Sequence, residues 1–213
     1  MPRLRYLPII LVGLLLFSSV FVYQALPDQV PAHWNFKGEV DRYGSRLEGA
    51  FAVPVATALL YALLSVVLRR QENAAPQESR TRVMLTVAFF KTSEVLLFAS
   101  LYAYTVFTAL GKRASINSFM AVPLALAFYC VGALVKDTPR NTLSGVRTPW
   151  TLASDEVWAR TQSDASTLYK ATAPIQLLSL VWPRFFFAWL SVPVVVLPVW
   201  LVFKSWRYSR SSR

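Results

Sequence analysis

Long apolar runs fenced by arginine and lysine leave this chain few ways to fold. Runs at 7–23, 50–68, 83–110, 116–135 and 185–203 come close to or exceed the ~20 residues that carry a helix across a ~30 Å hydrocarbon layer. A backbone in lipid has to satisfy its own hydrogen bonds, so these runs read as helices. Alternating segments of a membrane barrel are absent. Mean hydropathy of +0.42 with only 15% charged residues fits an integral membrane protein better than a soluble domain.

One segment is ambiguous. Residues 163–182 are only moderately apolar and contain Lys170 and Pro174. Charge placement resolves the reading, because cytoplasmic loops collect Lys and Arg. With six crossings, fourteen of the 22 Lys and Arg fall on one side with both termini and six on the other; Lys91 and Lys170 lie within spans. With five, the basic tail falls on the wrong side. The expected fold is therefore all-α, an integral membrane bundle of six transmembrane helices with both termini cytoplasmic. The first run is preceded by Arg3 and Arg5 and lacks a small-x-small cleavage pattern, so it reads as an uncleaved span. We expect an N-terminal two-helix unit over 1–68 with an ordered outer loop at 24–49. A four-helix unit follows over 69–213, with a cytoplasmic loop at 136–163. Residues 69–82 read as a solvated loop.

The net charge of +11 raises the possibility of a nucleic-acid partner. The basic residues bracket apolar runs, so the expected partner is the lipid bilayer, with no direct nucleic acid. One cysteine, Cys130, and one histidine, His33, rule out a disulfide framework within the chain and a Cys/His zinc cluster. His33 with Glu39 and Asp41 makes a weak metal set, so no metal or cofactor is expected.

The most specific stretch is 141–161, NTLSGVRTPWTLASDEVWART. Gly145 permits a turn that other residues resist. Pro149 fixes its own φ and pushes Thr148 out of the helical region. A helix is expected to start at Ser154, its hydroxyl capping the first turn and Asp155 and Glu156 suiting the positive helix end. Trp150 and Trp158 are rings of the kind that settle at a membrane boundary. Arg147 offers a planar fork to a carboxylate or phosphate.

This stretch resembles the signature of the SdpI family, bacterial immunity proteins against the sporulation-delaying-protein toxin and their relatives. The match runs through Asn141, Gly145, Val146, Arg147, Thr148, Pro149, Trp150, Thr151, Leu152, Val157, Trp158 and Thr161, and departs at Gln162, where the family usually has histidine. A second segment resembles the domain of unknown function that usually precedes that signature. It contains Pro31, His33, Trp34 and Asn35, then Gly38, Asp41 and Gly44. The resemblance implies a bacterial inner-membrane protein with six spans. It also implies immunity to a peptide toxin and capture of a cytoplasmic repressor at the membrane.

Two further constellations bear on function. Lys91 and Glu94 share a helix face inside an apolar span and, with Lys170 across the bundle, suggest an ion-coupled carrier. Arg147, Asp155 and Glu156 suggest an acid/base site, yet no activated Ser, Cys or His stands with them, so no catalytic residue is assigned.

Overall fold

A computed structural model describes residues 2–35, 39–75, 77–136 and 138–211. After a short 3-10 turn at Pro2–Tyr6, helix α1 spans Leu7–Ala25. An antiparallel hairpin of β1 (Gln29–Trp34) and β2 (Val40–Ser45) follows. Helices α2 (Arg46–Ala74), α3 (Gln77–Ala109) and α4 (Ile116–Lys136) come next. The signature stretch holds a one-turn helix α5 (Pro149–Ala153) and opens α6 (Asp155–Thr172), which continues as a 3-10 helix over Ala173–Leu180. The C-terminal rod is built of α7 (Phe186–Ser191), a π-turn at Val192–Val196 and α8 (Leu197–Ser211).

Among the described residues, five helical stretches are long and apolar enough to cross a membrane: Leu4–Ala25, Arg46–Asn73, Arg80–Ala109, Ile116–Lys136 and Pro183–Ser211. The segment 163–182 is not among them, because α6 is polar along one side and amphipathic overall. The expected solvated loop at 69–82 is a correction: α2 runs on to Ala74 and α3 starts at Gln77, so nearly all of it is helical. Gln71 is buried there and donates to the Thr138 hydroxyl. Between α1 and α2 the described residues form a strand pair inside an otherwise helical fold.

The two ends of the bundle differ in kind. At one end Leu26, Val30 and Ala50 form a core against Val22, Phe51, Val106 and Ala109. At the other, Leu68, Ala75, Val83, Val87 and Leu134 pack with Leu64 and Phe90. Gly49 is tight against the first of these, since a Cβ there would lie 2.5 Å from Val30 Cγ1. The hairpin is thereby fixed to the start of α2. Trp34 also packs on Tyr104 of α3, ring centroids 5.2 Å apart.

The 155–180 rod lies antiparallel along the whole of α4. Trp158 donates to the Thr138 carbonyl near one end of α4, and Asn117 donates to the Ser179 carbonyl at the other. Between them Gly132 meets the rod so closely that a Cβ would lie 2.8 Å from the Ser166 carbonyl oxygen. Small residues at a helix crossing let backbones approach where lipid supplies no hydrophobic drive. The buried face of the rod is polar: Thr161, Gln162, Ser166, Thr172, Gln176 and Ser179.

Prolines explain part of that polarity. Pro174 has no N–H for the Lys170 carbonyl, and the helix tightens from Ala173 onward. Pro193 likewise has none for the carbonyl of Trp189; the Gln176 side-chain amide donates to that oxygen at 3.1 Å. Pro183 has none for Ser179, and Asn117 donates to that carbonyl at 3.1 Å and to Pro183's own at 3.2 Å. A freed carbonyl away from water costs about 1–3 kcal/mol if left alone, so these two carboxamides are the complement of two prolines.

Candidate functional site

The signature folds on a short chain of local bonds. Asn141 closes an Asx turn, its Oδ1 accepting from the N–H groups of Leu143 at 2.7 Å and Ser144 at 2.8 Å. Gly145 follows with φ +93°, a conformation L side chains rarely adopt. Thr148 caps α5 in a reciprocal box: the Thr151 N–H donates to the Thr148 hydroxyl oxygen at 3.2 Å, and the Thr148 N–H donates to that of Thr151 at 2.8 Å. Pro149 occupies the first turn, where its missing N–H costs nothing. Ser154 then caps α6 as expected, accepting from the Val157 N–H, with Asp155 and Glu156 in the first turn.

The turn is anchored from beneath by Gln162. This side chain is 1% exposed, accepts from the Val146 N–H at 3.0 Å and donates to the Val146 carbonyl at 3.1 Å. It sits where the imidazole of the resembling family is expected, and here it makes a two-point pairing with backbone. Thr161 beside it is also fully buried, its hydroxyl donating to the Val157 carbonyl at 2.7 Å.

Two expectations about this stretch are corrected. Trp158 is no boundary anchor: it is 4% exposed, with its indole N–H donating to the Thr138 carbonyl at 2.9 Å. Trp150 is half-buried and donates to the Ser205 hydroxyl at 2.6 Å, pinning α5 to α8. Nor do the acids converge on Arg147. Asp155 pairs with Arg140 at 2.8 Å and Glu156 with Arg160 at 2.9 Å, one turn on. Arg147 is exposed and donates to the Thr142 carbonyl at 2.6 Å. The result is a well-bonded loop with the exposed Arg147 guanidinium folded onto the Thr142 carbonyl.

Between α5, the start of α6 and the end of α8 lies a cleft of about 870 Å3. Trp150, Ser154, Trp206, Ser209 and Arg210 line its polar and aromatic parts. On its far side Lys204 and Tyr208 of α8 meet Asp164 of α6; the Lys204–Asp164 distance is 2.8 Å.

The hairpin holds the other candidate residues. His33 Nδ1 lies 2.6 Å from Asp41 Oδ1, both groups exposed. Asn35 pairs with Glu39 through backbone and side chain. Glu39 therefore turns to Asn35, and His33 and Asp41 form a two-group contact. Among the described residues no three His, Cys, Asp or Glu gather as metal ligands. Pro31 is buried, Gly44 leaves room for Glu48, and Gly38 lies outside the described residues. Glu48 also accepts from Arg42 at 2.8 Å, and that bond raises the guanidinium pKa above its ordinary value.

The intramembrane charges do not form one cluster. Lys91 and Glu94 line a space of about 10 Å3 between α2 and α3 with Thr57 and Tyr61, the Lys91 ammonium 5.5 Å from the Tyr61 ring centre. They make no ion pair with each other. Lys170 lies on α6 against Gly132 of α4, so α4 stands between it and α3.

Comparison with known proteins bears on both segments singled out above. Residues 137–204 match the model of the SdpI/YfhL protein family, and residues 9–58 match a domain of unknown function, DUF1648. The chain is similar to the Immunity protein SdpI of Bacillus subtilis (strain 168), 24% identical over 150 residues that cover 70% of this chain and 68% of that one. No solved structure matches it.

Proposed function

The chain belongs to the SdpI/YfhL protein family, with a DUF1648 segment ahead of the signature, and is a multi-pass bacterial membrane protein; from that premise we propose that it confers immunity to a membrane-active peptide toxin. The bundle would bind or exclude the toxin and so preserve the proton gradient. The similarity to an immunity protein over most of both chains supports this reading.

The topology that goes with it has six crossings and both termini cytoplasmic. Its support is the register of the 155–180 rod with α4. The α-helical part is about 27 Å long and the 3-10 part adds about 16 Å, so a partner of α4 at this length reaches both faces of a ~30 Å layer. Low hydropathy is no obstacle where the polar side faces α4 and the C-terminal rod. The signature, the 69–82 segment and both chain ends then share the basic cytoplasmic end. The hairpin unit of 1–68 caps the outer end of the four-helix unit of 69–213.

The observation that carries the site assignment is Arg147, exposed on a turn locked by buried Gln162. A preorganised cation on a cytoplasmic loop fits an acidic surface of a cytoplasmic partner, and capture of a repressor by the toxin-loaded protein is the form we propose. The test is survival and membrane potential of toxin-challenged cells expressing the protein or Arg147→Ala at matched membrane levels. Protection that disappears in the variant at matched levels supports immunity centred on the signature loop. Absence of protection by the wild-type protein sinks immunity to that toxin.

An ion-coupled carrier is the second reading, favoured by Lys91 and Glu94 around a water-sized space inside the bundle. It requires substrate flux that Glu94→Gln abolishes, which an immunity protein does not show.

A further inference from the structure

The C-terminal helix carries an aromatic face to which the proposed immunity role assigns nothing. Trp200, Phe203 and Trp206 form a ladder on its outward face, with ring centroids 5.7 and 6.0 Å apart. All three are more than a third exposed, and Val199 and Val202 flank them. The ladder ends under a cation: the Arg210 guanidinium lies 4.8 Å from the Trp206 ring centre. At that point the helix borders the cleft of about 870 Å3, with the Ser154 and Ser209 hydroxyls on its rim.

The charges around the cleft are unequal. Among the described residues no carboxylate lines it. The acids nearest in the chain are engaged, Asp155 with Arg140, Glu156 with Arg160 and Asp164 with Lys204. Among the described residues no carboxylate pairs with Arg210. An apolar track leading into a pocket that holds a guanidinium without a carboxylate partner and the Ser154 hydroxyl matches an anionic headgroup carried on an acyl chain. We propose that this cleft binds an anionic phospholipid. The phosphate sits at Arg210 with the Ser154 hydroxyl on the rim, and an acyl chain lies along Trp206, Phe203 and Trp200; the Ser209 hydroxyl is engaged with the Trp206 carbonyl at 2.7 Å. Aromatic rings at the boundary and arginine on phosphate each favour this placement. Free phosphate has no use for the ladder, so the lipid is the source of the phosphoryl group.

Native mass spectrometry of the full chain, released from vesicles of equal phosphatidylglycerol and phosphatidylcholine, tests it. The expected result is one retained phosphatidylglycerol per chain, with phosphatidylcholine in the minority. Arg210→Gln lowers that retention about fivefold, the size of one lost basic contact with an anionic headgroup. Trp206→Leu lowers it as well, while excess inorganic phosphate leaves it in place. Arg184→Gln is the matched control, since Arg184 stacks on Phe185 at 4.7 Å and does not line this cleft. Equal retention of the two lipids, an unchanged Arg210→Gln, or displacement by inorganic phosphate overturns the proposal. None of these readouts depends on toxin or repressor, so a failure of immunity leaves the outcome separate.

Discussion

The carboxamide of Gln162 pairs with both polar groups of the Val146 backbone, at 3.0 Å to the N–H and 3.1 Å to the carbonyl. A side chain on α6 thus holds a loop sixteen residues earlier in the way a neighbouring strand would. The same amide fixes the size of residue 145: a Cβ there would lie 2.9 Å from Gln162 Oε1 and 3.2 Å from the Trp158 ring, at a positive φ. Turn and helix are one unit, and Arg147 is aimed by both.

Removing that pairing is expected to loosen the signature before the rest of the bundle. Gln162→Ala leaves both Val146 groups without their partner and costs about 1–3 kcal/mol. Gln162→His, with one donor and one acceptor on diverging sides of its ring, keeps one bond at a time and falls between. Thermal unfolding in detergent ranks the three, and hydrogen exchange at 142–148 reports the loop directly. A Gln162→Ala protein as stable and as protected as the wild type would show the pairing to be idle.

The Gln176 and Pro193 pair predicts a specific non-additivity. Gln176→Leu orphans the Trp189 carbonyl and lowers stability by about 1–3 kcal/mol. Pro193→Ala restores an N–H four residues along, so Gln176→Leu costs less in that background, by about 1 kcal/mol of coupling. A double-mutant cycle on unfolding midpoints in one detergent measures this. Strict additivity would mean that the amide does not serve the carbonyl that proline leaves open.

Gly132 and Gly13 make a matched test of where backbones touch. A Cβ at 132 meets the Ser166 carbonyl oxygen at 2.8 Å and the Lys170 backbone N at 3.1 Å, whereas one at 13 meets nothing within 4 Å. Backbone atoms cannot swing aside, so Gly132→Leu is expected to separate α4 from the rod, with the loss of about 1–3 kcal/mol typical of overpacking. Gly13→Leu faces open space and is expected to be near neutral. Cysteine crosslinking between α4 and α6, with unfolding midpoints, separates the two outcomes; equal effects would contradict the close crossing.

Much of this was legible in one dimension. The runs of apolar residues placed four helices to within a few residues of their inner portions, because length and hydropathy alone decide what lipid accepts. Ser154 announced its helix start, since capping is a local matter between a hydroxyl and an amide a turn away; the one-turn helix that Thr148 caps was not read from the sequence. Gly145 announced its turn for the same kind of reason. The 69–82 stretch misled, because polar residues without a visible apolar face give no sign that two helices continue past the end of their apolar runs.

The sequence by itself determined that the chain is a helical membrane protein, which residues bend or cap its backbone, and where its cations accumulate. Those properties follow from single residues and short spacings. Only the tertiary structure decided what the polar residues are for. Whether Gln176 is a defect in an apolar run or the partner of a proline thirteen residues away depends on two rods lying side by side. Whether Trp158 anchors a surface or fills a core depends on Thr138 arriving above it. Asp155 near Arg147 in sequence turns instead to Arg140, because the α5 turn carries the two apart. Partnership between distant residues is a property of packing, and a sequence holds the partners without stating the pairs.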